Sequence, residues 1–202
     1  MSSKRFLGMV ASEVIVCKRC DLWRSRKNAV PGTGNARSKV FFIGEAPGRS
    51  EDEKGEPFVG AAGEFLDTLL SEIGFSREDV FITNVVKCRP PRNRQPLPLE
   101  IATCTPYLER QISIVKPNVM VTLGNHSTAY ILSKAGLSFD GIMQVHGKLF
   151  ETSILGMHLI VFPTFHPAAA LYSGEYRKRL IDDFRLLKGE LIKRKLAVKL
   201  RA

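Results

Sequence analysis

The chain has 202 residues, 44% of them apolar and 25% charged, with a formal net charge of +10. That balance excludes a disordered chain and suits a single domain over residues 1–202 with a substantial buried core. No apolar run approaches the roughly 20 residues of a membrane span, and MSSKRFLGMVASEVIV has no signal-peptide cleavage pattern before Cys17. A cytoplasmic protein with no membrane partner is therefore expected, nucleoid-associated if the source is a prokaryote.

In chain order the first marked feature is the C-x2-C pair Cys17 and Cys20. Lys39 to Gly44 is a short apolar, β-branched and aromatic run ended by glycine, which predicts a buried strand. From about Ala61 to Ile73, Phe65, Leu66, Leu69, Leu70 and Ile73 share one helical face, with Gly74 placed to end the helix. A second strand is predicted over Val80–Val86, then a helix from about Leu99 to Val115 that stops before Pro117. Val119 to Gly124 gives a third strand and Ser127 to Lys134 a further helix. Residues 138–158 suit loop and hairpin with a short strand at Leu149–Ser153. A fourth core strand at His158–Phe162 is closed by Pro163, and the last helix covers about Glu175–Lys195 within a basic C-terminal helix and tail over 175–202. Alternation of this kind predicts an α/β fold with a mostly parallel sheet and helices on both faces.

Four cysteines are present and no fifth: Cys88 and Cys104 join the N-terminal pair. Thiolates at i and i+3 can face one ion or cluster from a single turn but seldom suit a disulfide with each other. A four-thiolate site stapling the N-terminal segment to the middle of the chain is the favoured reading. Unrelated buried thiols or two disulfides remain the alternatives, and spacing does not separate zinc from an iron–sulfur cluster.

The basic residues gather at Lys18–Lys27, at Lys87, Arg89, Arg92 and Arg94, and from Arg177 to Arg201. A positive field of this size attracts polyanions, of which nucleic acid is the commonest in a cytoplasm. The C-terminal run also reads as a solvated helix face. The middle cluster, KCRPPRNRQP, carries three prolines and cannot be a regular helix. It predicts a rigid, exposed, cationic loop beside a cysteine ligand.

Ligands of open α/β sheets bind at the carboxyl ends of the strands. Those ends carry Gly44-Glu45-Ala46-Pro47-Gly48, then Asn84, then Gly124-Asn125-His126, then Phe165-His166-Pro167. A carboxylate, a carboxamide and an imidazole thus converge on one rim. Taken singly, the glycines suit an ordinary turn, Asn84 a turn cap and His166 a loop histidine bonded to backbone. Phe58, in Gly55-Glu56-Pro57-Phe58-Val59-Gly60, is an aromatic with no periodic reason for its place. His126, His146 and His158 join no constellation.

Taken together, GEAPG, GEPFVGAAG, FITNVVKCRPPRNRQP and FHPAAAL, in that order with the four cysteines, resemble the family 4 uracil-DNA glycosylases, the iron–sulfur type of thermophiles and archaea. The resemblance covers nearly the whole chain. It implies a three-layer α/β/α sandwich with a central, mostly parallel four-stranded sheet. It also implies a 4Fe–4S cluster on Cys17, Cys20, Cys88 and Cys104, with zinc as the chemical alternative. The implied activity is hydrolysis of the N-glycosidic bond of uracil flipped out of DNA, leaving an abasic site. No lyase step is expected, since no lysine is placed as a Schiff-base nucleophile.

The resemblance further implies residue roles. Phe58 would stack on the base, Asn84 would read its edge, and backbone around Gly44 and Ala46 would line the pocket. His166 would donate a hydrogen bond to uracil O2. Glu45 would orient water, stabilise the sugar cation or shape the wall against thymine's methyl group; Glu51 and, more weakly, Asn93 are further candidates for the water. Arg89, Arg92 and Arg94 would contact phosphates. In the loop after His166, which includes Ala169, Leu171 or Tyr172 would fill the gap left by the base, although the alanines depart from the serine-containing form of the motif. The partner is uracil-containing DNA, with a sliding clamp or other repair proteins as further partners and a monomeric state expected. Two other readings are a metal-stabilised DNA-binding module without catalysis and a broader deaminated-base glycosylase of the family 5 type.

Overall fold

A computed structural model describes residues 2–196; Lys199 and Arg201, at the end of the basic C-terminal tail, lie outside the described residues. The chain forms α1 (Ser3–Val16), β1 (Thr33–Gly34), β2 (Val40–Gly44), α2 (Arg49–Lys54), α3 (Ala61–Glu72), β3 (Phe81–Asn84) and α4 (Pro98–Val115). It continues as β4 (Val119–Leu123), α5 (Asn125–Lys134), α6 (Ile142–Val145), β5 (Phe150–Ile154), β6 (Met157–Thr164) and α7 (Gly174–Lys193). No helix among the described residues is long and apolar enough to cross a membrane.

The sheet has six strands in the order β1-β3-β2-β4-β6-β5, which corrects the expected four. The four central strands are parallel, as the alternating pattern required, and the two edge strands are antiparallel. β1 gives no sequence signal because it is a two-residue Thr-Gly edge with no apolar period. α1 and α2 are also additions to the expected elements: α1 buries only Val10 and Val14, and α2 is the polar hexapeptide RSEDEK. β6 does not close at Pro163 but runs on to Thr164. Pairing with β5 stops at Val161, so Pro163 meets only β4, and its missing N–H falls on an open side of the strand.

Successive strand residues point to opposite faces, and each face has its own core. Val40, Phe42, Val121 and Phe162 pack with Leu66 and Leu69 of α3 and Phe184 and Leu187 of α7. Phe41, Ile43, Met120 and Val161 pack with Val10 and Val14 of α1, Leu108 and Ile112 of α4, and Ile131 of α5. The result is an α/β/α sandwich. The predicted apolar face of α3 is buried in full, and Gly74 follows the helix with φ +83°, the left-handed step that ends it.

Between the layers, the carboxyl ends of the parallel strands are tied to one another. Val85 N–H donates to the Gly44 carbonyl at 2.9 Å, Val86 N–H to Glu45 at 3.1 Å, and Gly124 N–H to Thr164 at 2.8 Å. These bonds fix the rim on which the polar residues stand.

Candidate active site

Gly44 and Asn84 are register partners at the ends of β2 and β3. A Cβ on Gly44 would overlap Asn84 Oδ1 and come within 2.7 Å of the Phe58 ring, so only glycine admits both side chains. Asn84 is 1% exposed. Its Oδ1 is a buried acceptor with no donor among the described residues. Such an atom is costly to leave unsatisfied and is a mark of a ligand-reading group.

The Phe58 ring reaches this place through a strained backbone. Its φ is +54°, in the left-handed region that a non-glycine residue seldom occupies. Arg77 holds the turn by donating to the carbonyl of Pro57 at 2.9 Å and to that of Phe58, while its Nε binds Asp67 at 2.6 Å. Gly63 lets the start of α3 pass against the Phe58 carbonyl, since any Cβ there would collide with it. Two oxygens of Glu51 close the same loop: Oε1 accepts from Val59 and Gly60 at 2.9 and 3.0 Å, and Oε2 from Gly48 at 3.0 Å. Glu51, expected among the groups that position water, is thus occupied as a brace between the α2 N-terminus and the Phe58 loop.

His166 follows β6 and stacks on Phe58, with ring centroids 5.5 Å apart and planes at 27°. Its Nδ1 accepts from the Ala168 N–H at 3.2 Å. A neutral ring that accepts at Nδ1 carries its proton on Nε2, which makes that nitrogen a donor. Burial drives the His166 pKa from its ordinary 6.5 to about 4, with Glu51 opposing, so the ring is neutral at physiological pH.

Glu45, after β2, has one side-chain partner on the rim among the described residues. Its Oε2 lies 3.8 Å from His126 Nε2 at the start of α5. Burial raises the Glu45 pKa and His126 opposes the rise. His126 is a rim residue that the sequence leaves without a role; its place just past the β4 end is the available signal. Glu45, Ala46, Glu51, Phe58, Asn84 and His166, with Asn93 and Arg94 at the edge, line a cleft of about 330 Å³. A second cleft of about 450 Å³ shares Glu45 and His166 and adds His126. Carboxylate and imidazole therefore stand where the two clefts meet.

The proline-rich loop lies at the mouth. Arg92 and Asn93 take left-handed backbone, with φ of +57° and +58°. Arg89 Nε binds Asn93 Oδ1 at 2.7 Å, whereas exposed Arg92 has no hydrogen-bond or ionic partner among the described residues. Arg94 differs from both. It makes a two-pronged pair with Glu100 at 2.9 and 2.6 Å, and Glu100 caps α4 by accepting from Leu97 N–H at 2.7 Å. Lys87, expected from the sequence to belong to this exposed cationic cluster, is instead fully buried, at 1% exposure. Beyond His166, Ala169 lines the second cleft while Leu171 and Tyr172 project, 45% and 89% exposed.

The four cysteines face one cavity, as the four-thiolate reading expected, although their spacing alone did not require it. Cys17 ends α1, Cys20 precedes a short 3-10 turn at Asp21–Arg24, Cys88 follows β3 and Cys104 lies on α4; all four line one cavity. Arg26 Nη1 donates to Cys88 Sγ at 2.9 Å and the Lys87 N–H to Cys104 Sγ at 3.2 Å. Donors of this kind suit anionic sulfur. Burial pushes the Cys104 thiol up to about 12, with Lys87 opposing, so a thiolate there calls for a bound cation. Among the described residues no three ligating side chains converge as a single metal ion demands.

An open parallel sheet with a flat aromatic face, a buried unsatisfied carboxamide and a neutral imidazole donor at one rim defines a binder of a planar, amide-bearing heterocycle. A family model described as "Uracil DNA glycosylase superfamily" matches residues 31–185. A type-4 uracil-DNA glycosylase of Saccharolobus solfataricus is 53% identical over 186 residues, covering 92% of this chain and 86% of the relative. One from Archaeoglobus fulgidus is 46% identical over 94% of each chain, and a type-5 uracil-DNA glycosylase of Thermus thermophilus is 31% identical over 72% of this chain and 78% of its own. The chain belongs to the uracil-DNA glycosylase superfamily and, within it, to the type-4 family.

Proposed function

We propose that this protein is a monofunctional uracil-DNA glycosylase, which cleaves the bond between uracil N1 and deoxyribose C1′ and leaves an abasic site. The observation that carries the reading is Asn84 Oδ1, a buried acceptor without a donor among the described residues, in a pocket also lined by Phe58. Uracil N3–H supplies that donor, and Asn84 Nδ2 donates to O4. Cytosine offers an acceptor at N3 and a donor at position 4, so it leaves both groups mismatched at about 1–3 kcal/mol each.

A duplex hides the scissile bond, so the nucleotide swings out of the stack at a cost of a few kcal/mol. Phe58 receives the base on its ring face. Leu171 or Tyr172 enters the space it leaves, as apolar wedges do. As the glycosidic bond breaks, electrons move onto uracil and negative charge gathers at O2. The Nε2–H of neutral His166 donates there, a stabilisation of the oxyanion-hole kind that needs no imidazolium. Glu45, at the junction of the clefts, holds the water for C1′ and balances positive charge on the sugar. Arg92, with Arg89 beside it, meets phosphates, while Arg94 keeps the loop in place through Glu100.

The four cysteines, which line one cavity, would hold a 4Fe–4S cluster, with zinc as the chemical alternative for four thiolates. Held by Cys17, Cys20, Cys88 and Cys104, such a cluster would staple α1, the β3 end and α4 together, and the chain's own residues carry out the reaction.

Release of uracil from a single-uracil duplex by wild type, and its loss in His166→Ala with metal retained, tests the reading. Release of hypoxanthine or xanthine at a comparable rate would favour the broader deaminated-base activity. Tight DNA binding without any release would leave the non-catalytic module.

A further inference from the structure

Asn84 selects the base on this reading, yet its Oδ1 makes no hydrogen bond to any described residue. Its direction is set by its backbone and by the walls of Gly44 and Phe58. What holds that backbone is therefore part of the reading device. Asn84 ends β3, and one neighbour, β2, is bonded to it through Val85 N–H and the Gly44 carbonyl at 2.9 Å. Its own carbonyl receives a different donor, the Lys87 side chain.

Lys87 Nζ lies 2.8 Å from the Asn84 carbonyl, 2.6 Å from Thr83 Oγ1 and 2.7 Å from Gln111 Oε1. All three oxygens lie within hydrogen-bond reach of the Lys87 Nζ donors. Those oxygens are themselves anchored. Gln111 Nε2 donates to the Pro31 carbonyl at 2.6 Å, and Thr83 Oγ1 donates to the same carbonyl at 3.0 Å. The clamp thus joins β3, α4 and the segment before β1. On its other side the Lys87 N–H binds Cys104 Sγ, and Cys88 is the next residue.

We propose that Lys87 is the positioning residue for the base-reading amide: its side-chain amine locks the Asn84 carbonyl and transmits the rigidity of the four-cysteine staple to the pocket. This rests on Asn84 as the reader of uracil. Lys87 touches neither base nor sugar and acts only through Asn84.

A double-mutant cycle on the full protein tests it. Lys87→Met keeps the length of the side chain and removes the donors, and kcat/KM for uracil release should fall about ten- to a hundredfold, the span expected for charged hydrogen bonds. Inhibition by free uracil should weaken in parallel. Iron and sulfide content, visible absorbance and affinity for an abasic-site duplex should stay at the wild-type level. In an Asn84→Ala background the same substitution should cost little more, because coupled residues are not additive. Full additivity, or wild-type activity in Lys87→Met, overturns the proposal. Should Lys87→Met fail to fold, Thr83→Val, which removes one of the three acceptors, runs the same cycle: a loss that vanishes in the Asn84→Ala background supports the clamp, and full additivity overturns it. If Asn84→Ala itself leaves uracil release unchanged, the reading of the pocket falls and this proposal with it. An effective Asn84→Ala with an additive Lys87→Met removes the Lys87 role alone.

Discussion

Glu45 Oε2 stands 3.8 Å from His126 Nε2, and this contact joins the β2 end to the start of α5 across the rim. The other titratable or charged groups around the clefts are Glu51, Arg94, His166 and Tyr176. Burial raises the Glu45 carboxyl above its ordinary 4.5 and His126 restrains the rise. In the proposed role Glu45 meets the sugar and water as a carboxylate, so its protonation would end activity. The acid limb of kcat/KM should then lie above the ordinary carboxylate range. In His126→Gln it should move to higher pH, with the rate on the plateau little changed. A pH–rate profile on a single-uracil oligonucleotide checks this, and an unmoved limb would separate His126 from Glu45.

His166 sets a second pH dependence, this one of stability. Its folded pKa of about 4 lies below the 6.5 of a free histidine. As pH falls through 6.5 the unfolded chain takes up a proton that the folded chain refuses until about 4. Stability should thus be full above that window and decline across it. Melting temperatures of wild type and His166→Asn between those pH values should differ in slope, the variant being flatter.

Gly44→Ala places a methyl group on Asn84 Oδ1 and the Phe58 ring. Uracil release should fall by about a hundredfold or more, equivalent to about 3 kcal/mol, with iron content and DNA affinity retained. Preserved activity would show that the pocket can give way at its narrowest point.

The three arginines of the proline-rich loop should behave differently. Arg92→Ala removes an unpartnered, exposed cation, and the slope of log affinity against log salt should flatten by about one unit. Arg94→Ala leaves Glu100, with 6% side-chain exposure, without its partner and should mainly lower the melting temperature. Salt-dependent binding and thermal unfolding of the two variants separate these effects; identical behaviour would mean that the pair with Glu100 opens on DNA.

Elemental analysis of anaerobically prepared protein should find iron and acid-labile sulfide in equal amounts. Chelation after oxidation should loosen α1 and the Cys88 segment, with proteolysis following at residues near Cys17. Stoichiometric zinc would contradict the cluster.

Much of the fold was legible because its signals are local and periodic. α3 announced its buried face at helical spacing, and the four parallel strands are short apolar runs, three of which end at or just before a glycine or asparagine. The rim was legible because strand ends are where such sheets bind ligands. The rest depended on contacts distant in sequence. Lys87 reads as one more cation until Thr83, Asn84 and Gln111 surround it. Arg77 holds Phe58 from 19 residues away. Glu51 did carry a signal, since Gly48 and Glu51 have the spacing of a helix capping box, which competes with a catalytic role for the same carboxylate. The Thr33–Gly34 edge had no signal of its own, because a two-residue strand exists only through its partner.

Asn84 Oδ1 also sets heat tolerance against chemistry. A buried acceptor with no donor lowers the stability of the free protein by about 1–3 kcal/mol, and an apolar side chain of similar size would recover part of it. Selection for thermal endurance alone would therefore erode this position first. An asparagine held there marks a place in the sheet where a less stable protein is the working one.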